Sequence, residues 1–133
     1  MTNNKNLISA AKKFYENKNF FEAKMHLLMA LKDKKIDKKF KLSLYVLIAD
    51  VSFKLNEFEN AKKYLLKSVK GGKFNSEIFN SLGNIYLKTR DYLNSEKYYL
   101  KSLSIEKENE VSLINLAIFY HNFGQPKKAI FFY

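Results

Sequence analysis

Apolar residues return every three or four positions along most of the chain. Leu7, Ala10, Ala11 and Phe14 form one such series, and Phe58, Ala61, Leu65 and Val69 form another. An α-helix takes about 3.6 residues per turn, so side chains at these intervals share one face and can be buried together. No segment alternates apolar and polar residues for long enough to build a sheet. The pattern predicts an all-α chain of short amphipathic helices.

The series themselves recur. Leu82-Gly83-Asn84-Ile85-Tyr86 aligns with Leu116-Ala117-Ile118-Phe119-Tyr120 at an interval of 34 residues, and one step back puts Ile48-Ala49 in the same roles. A further step needs four extra residues, about one helical turn, to reach Ala10-Ala11. The lysine-rich stretch from Lys32 to Lys41 accommodates that turn as a longer helix end or connector. In this register three columns hold only small residues: Ala11, Ala49, Gly83 and Ala117; Ala23, Ala61, Ser95 and Ala129; and Ala30, Ser68 and Ser102. Two helices approach to ~8–10 Å only where the side chains at their crossing are small. Large apolar residues fill the space around each crossing, among them Phe14, Tyr86 and Tyr120, and Leu27, Leu65, Tyr99 and Tyr133. The chain therefore reads as one domain, 1–133, with repeats at about 4–41, 42–75 and 76–109 and a truncated fourth at 110–133.

Turn and cap residues agree with this register. Asn19 with Glu22, and Asn56 with Glu59, have the spacing of capping boxes at the start of each second helix. Asp91 is placed to cap the equivalent helix of the third repeat. Pro126 occupies a first helical position, where its missing N–H costs nothing, and Gly71-Gly72 ends a helix.

Leu82-Gly83, Tyr86, Tyr92, Ser95, Tyr99 and Ser102-Leu103 resemble the consensus of the tetratricopeptide repeat family, whose period is 34 residues. The likeness extends over nearly the whole chain. It implies a right-handed superhelical stack of antiparallel helix pairs, an α-solenoid whose first helices line a concave groove. Three departures stand out. Lys35, Lys73 and Lys107 replace the proline that often closes a repeat, only the third repeat keeps glycine in the leading small column, and Ser52 replaces the usual aromatic.

In such a stack the groove face would read Lys5, Ile8, Lys12, Tyr15; Ser43, Val46, Asp50, Phe53; Glu77, Asn80, Asn84, Leu87; and Val111, Ile114, Ile118, His121. An extended peptide brings backbone N–H and C=O groups that need partners, and an asparagine side chain both donates and accepts. The resemblance places Asn84 and Asn115 where carboxylate-clamp members of the family hold a peptide's C-terminal end. Asn80 stands where that clamp has a lysine, and the third contributing repeat would lie beyond Tyr133, so a full clamp is not expected. The two asparagines are equally readable as incidental in an asparagine-rich chain. Apolar groove residues have two readings as well, as anchors for a partner segment or as packing against the adjoining repeat. The candidate partner-binding residues are Lys12, Val46, Asp50, Phe53, Asn80, Asn84, Leu87, Asn115 and Ile118.

Composition narrows the classes. A hydrophobic fraction of 47% and an aromatic fraction of 16% in 133 residues are too high for a disordered tail and sufficient for a core. There is no cysteine, hence no disulfide and no thiolate chemistry. The polar start, Met1-Thr2-Asn3-Asn4, lacks the apolar core of a signal peptide, and no apolar run reaches the roughly 20 residues of a membrane span. A soluble, cytoplasmic protein is expected. His26 and His121 lie far apart, and the acidic cluster Glu106, Glu108, Glu110 lacks the spacing and glycine of a calcium loop. Gly71-Gly72 with Lys70 and Lys73 does not complete a phosphate-binding loop. The expectation is no enzyme, no metal and no cofactor.

The formal charge of +11 is almost all lysine, with Arg90 the only arginine, and AT-rich codon usage accounts for such a bias without any function. Two function classes follow. The first is a scaffold that docks a peptide or helix of a partner protein in the groove. The second is a basic helical module that meets nucleic acid or anionic lipid through lysines such as Lys12-Lys13, Lys34-Lys35, Lys38-Lys39, Lys62-Lys63 and Lys127-Lys128. Scarcity of arginine disfavours nucleic acid, because a lysine ammonium makes no bidentate contact. The apolar ending Ile130-Phe131-Phe132-Tyr133 falls inside an expected helix, which suggests a piece of a longer protein or self-association through that end.

Overall fold

The computed structural model describes residues 4–123. Seven α-helices and no strand occur among them: α1 (Asn4–Glu16), α2 (Phe20–Leu31), α3 (Lys38–Lys54), α4 (Phe58–Lys70), α5 (Ser76–Lys88), α6 (Tyr92–Ile105) and α7 (Glu110–Asn122). Expectations placed on Pro126, Lys127-Lys128, Ala129 and the apolar ending Ile130 to Tyr133 lie outside the described residues.

Each first helix turns into its second by the same device. Lys18, Asn56 and Arg90 adopt the left-handed conformation, with φ of 62°, 62° and 63°. The residue after each donates its N–H five positions back: Asn19 to Phe14, Glu57 to Ser52 and Asp91 to Tyr86, at 2.7, 2.8 and 2.9 Å. This is a Schellman closure, which satisfies carbonyls that a helix end leaves unpaired. Asparagine tolerates φ > 0 better than lysine or arginine, and only Asn56 of the three is the favourable type.

The caps correct the sequence reading. Asp91 does cap α6, accepting from Asn94 N at 3.2 Å. Asn19 stands at the start of α2 without a side-chain cap, and α4 begins after Glu57, so neither expected capping box forms. Asn56 is spent on the left-handed turn instead. Side-chain caps are found where none was expected, at the first helices: Asp37 accepts from Phe40 N at 2.7 Å, Asn75 from Ile78 N at 2.8 Å and Asn109 from Ser112 N at 2.9 Å.

The helices form two compact units, one ending at Lys73 and the other beginning at Phe74. In the first, α1 to α4 fold back on one another in sequence order around Leu7, Ala11, Ala23, Leu27, Ala30, Leu44, Ile48 and Val51. Helix α3 has 17 residues against 13 in α1, and its extra turn is the lysine-rich start beginning at Lys38. Lys24 of α2 reaches Glu57 at the head of α4 at 2.6 Å.

In the second unit α5, α6 and α7 enclose Tyr99, Leu116, Phe119 and Tyr120, with Leu87 and Leu103 packed against them. A methyl group on Gly83 would lie 2.5 Å from ring carbons of Tyr99, so the smallest residue marks the closest approach of α5 and α6. Every described member of the three small columns is buried. The serines among them are satisfied: Ser95 Oγ donates to Gly83 O at 2.8 Å, Ser102 Oγ to Ser76 O at 2.7 Å, and Ser68 Oγ to Lys73 O at 2.9 Å. A hydroxyl buried at such a crossing is costly without a partner, and here a backbone carbonyl receives each one.

Candidate functional site

In the first unit, α1 and α3 leave an open cleft of about 210 Å³ above Leu27 of α2. Its floor is the buried Ala11, Leu27 and Val51, and Ile8 and Leu47 rise beside them. Lys12, Tyr15, Glu16 and Asp50 complete the lining. The Tyr15 hydroxyl is tied to the Asp50 carboxylate across the cleft. Burial first, then that hydrogen bond and the negative charge of Asp50, push the Tyr15 hydroxyl up from its ordinary 10.0 to about 12. The phenol is therefore a neutral donor at every physiological pH.

Lys12 and Asp50, two of the predicted site residues, meet in this cleft. Val46 and Phe53 do not line it. Val46 is half-buried, and Phe53 sets its ring edge-on to Phe58 at 5.4 Å. Leu47, which was not assigned to the face, lines the cleft and stays 39% exposed. Its signal was available in the sequence, since Leu47 lies three residues before Asp50 and four before Val51, on the same helical stripe.

In the second unit, Asn115 of α7 donates Nδ2 to Asn80 Oδ1 of α5 at 2.9 Å. Asn84 is engaged differently: its Oδ1 accepts from the hydroxyl of Tyr99 on α6. The two asparagines matched to a clamp therefore have separate partners and are not paired with each other. Leu87 packs against the core around Tyr99 and Phe119, whereas Ile118 of α7 is 44% exposed, on one helical stripe with the exposed Val111 and Ile114. Burial also pushes Tyr99 up to about 12, and burial with a hydrogen bond to Glu96 raises Tyr120.

The acidic residue Glu106 is structural. It accepts from Ser76 Oγ at 2.8 Å and from Asn109 Nδ2 at 3.2 Å. These two hydrogen bonds, Ser76 first, hold its carboxyl below the usual value. Several lysines are likewise placed over rings. Lys67 Nζ lies over Tyr45 and Tyr64 at 5.6 and 5.5 Å, and at the equivalent register Lys101 lies over Phe79 and Tyr98 at 5.6 and 5.4 Å. Each ring face attracts the ammonium electrostatically. Among the described residues no group of histidine, aspartate and glutamate is placed to hold a metal ion, and no helix is long and apolar enough to cross a membrane.

Tetratricopeptide repeat profiles match residues 42–70 and 76–109, and a further one matches 98–131. The chain belongs to the tetratricopeptide repeat family. Its fold class is the all-α helical solenoid of that family, as expected from the small-residue columns. MamA has a solved structure with a TM-score of 0.85 at 15% identity, covering 98% of this chain and 74% of that one. PilF of Pseudomonas aeruginosa is similar with a TM-score of 0.78 at 22% identity, over 98% of this chain and 58% of that one. YrrB, described as a tetratricopeptide repeat protein with an unusual peptide-binding site, gives a TM-score of 0.77 at 16% identity, over 95% of this chain and 63% of that one. This tetratricopeptide repeat chain thus spans less than two thirds of the length of PilF and of YrrB. No curated protein matches it in sequence. Tetratricopeptide repeats generally mediate protein–protein interaction.

Proposed function

We propose that the protein is a non-catalytic interaction scaffold that docks a peptide or helix of a partner protein on the faces of its first helices. In the first unit Lys12 and Asp50 would make the contact, joined by Tyr15 and Leu47. In the second, Asn84, Asn115 and Ile118 would do so, with the buried Asn80 holding the Asn115 side chain. The observation that carries the proposal is the cleft of about 210 Å³ between α1 and α3, apolar at its floor and polar at its rim. Such a surface favours burial of an apolar side chain while the rim supplies hydrogen bonds to the backbone that bears it. Repeat boundaries at about 4–41, 42–75, 76–109 and 110–133 are part of the same proposal, each repeat supplying one first helix.

Site-specific photo-crosslinking tests this. A benzophenone amino acid placed at Leu47 should give adducts with partner proteins in a lysate, whereas the same group at Met25, exposed on α2, should give few. Adducts at Met25 equal to or exceeding those at Leu47 would move the interaction off the proposed face.

A further inference from the structure

The cleft between α1 and α3 has a size and a charge that narrow what it holds. Its volume of about 210 Å³ is below the roughly 300–1,000 Å³ of small-molecule sites. One large apolar side chain matches that space. Ala11, Leu27 and Val51 beneath it are between 3% and 4% exposed, and their side chains present an apolar floor with no polar group to satisfy. Leu47 keeps 39% of its surface exposed beside this floor, apolar area that an incoming chain would cover.

The rim differs from the rest of the protein. The chain as a whole carries +11, with 24 basic against 13 acidic residues. At the cleft the balance reverses: Glu16 and Asp50 face the opening with Lys12 as the single cation in the lining. Tyr15 uses part of the Asp50 carboxylate, but a carboxylate accepts about four hydrogen bonds and has capacity left for a second donor. Glu16 is exposed and its helix ends there, so its carboxylate is free to reach a bound cation.

We infer that this cleft takes an apolar side chain of a partner peptide that carries a lysine or arginine next to it, the cation settling on Asp50 and Glu16. The inference rests on the docking reading and adds the chemistry of the partner. Overall charge would draw acidic chains to this protein, whereas the cleft selects against them at the point of contact. Lys12 then sets the register, because a second basic residue on the α1 side of the peptide meets its ammonium.

The test uses the full chain, labelled with 15N, and three blocked hexapeptides: Gly-Ser-Leu-Arg-Ser-Gly, the same with Leu-Glu at the centre, and the same with Ser-Arg. The Leu-Arg peptide should shift the amide resonances of Ile8, Tyr15, Leu47 and Asp50 and bind about two- to five-fold more tightly than the Leu-Glu peptide, the range expected of a solvent-exposed ion pair. Asp50→Asn with Glu16→Gln, both at exposed sites, should remove that preference and leave the far-ultraviolet spectrum unchanged. Lys12→Gln should increase it. Equal binding of Leu-Glu in this cleft would overturn the basic-flank assignment and leave the docking reading standing. Equal binding of Ser-Arg would show that the apolar pocket is not used, which overturns the inference. Absence of shifts with all three peptides also overturns it, and crosslinking from Leu47 then decides whether docking on this face falls too.

Discussion

Asn115 Nδ2 donates to Asn80 Oδ1 at 2.9 Å, joining α7 to α5 in the second unit. Asn80 is only 9% exposed, so loss of its partner leaves a carbonyl oxygen away from water. Asn115→Ala should therefore lower stability by about 1–3 kcal/mol. A cycle with Asn80→Ala and the double variant, followed by urea unfolding, should return a coupling of about 1 kcal/mol. Strict additivity of the two single changes would mean that the pair contributes nothing beyond its separate contacts.

Gly83→Ala places a methyl group 2.5 Å from the Tyr99 ring, a rigid neighbour that cannot swing aside at its base. Overpacking costs about 1–3 kcal/mol, against up to about 1 kcal/mol gained by replacing glycine within a helix. The net expectation is a loss of about 1 kcal/mol, smaller in a Tyr99→Leu background. A stabilised Gly83→Ala protein would show that α5 and α6 do not meet at this point.

Ser52 is fully buried in α3, and its hydroxyl has no partner among the described residues. The serines of the small columns differ in that a carbonyl receives each hydroxyl. Ser52→Ala should raise stability by about 1 kcal/mol, because an unpaired buried hydroxyl costs about 1–3 kcal/mol. Thermal unfolding would register the gain, and a lower midpoint than that of the parent would refute it.

Together with Tyr99 and Tyr120, Tyr15 contributes to an alkaline transition. Its folded pKa of about 12 lies above the ordinary 10.0, so the folded state holds the phenolic proton more tightly than the unfolded chain. The corresponding stability is complete below pH of about 10 and is lost as pH rises through about 12. Asp50→Asn removes the charge but not the burial, which is the larger cause. The Tyr15 midpoint, followed by NMR of 13C-labelled tyrosine, should fall towards 10.0 without reaching it. An unmoved midpoint would sever Tyr15 from Asp50.

How much of this was legible beforehand differs from residue to residue. The small columns were readable because a steric demand at each helix crossing repeats with the chain's own interval, and Ala11, Ala49, Gly83 and Ala117 all prove buried. Caps were less readable. Asn19 and Asn56 have the right residue types, but Asn19 stands at the N-cap without a side-chain hydrogen bond, and the left-handed turn takes Asn56 and moves the start of α4 to follow Glu57. Asp37, Asn75 and Asn109 carried the same chemical signal at the first helices and went unassigned.

The sequence alone determined the helices, their order, the small crossings and the family, since periodicity and side-chain volume act locally and repeat along the chain. Tertiary structure alone decided which groups are available on the proposed docking faces of the two units. One residue rotates a helix by about 100°, so Leu47 rather than Val46 turns into the cleft when α3 settles on Leu27. Whether Asn84 faces a ligand or a tyrosine depends likewise on α6, which delivers the Tyr99 hydroxyl to it. Such choices belong to pairs of helices brought together by packing, and no single stretch of sequence contains them.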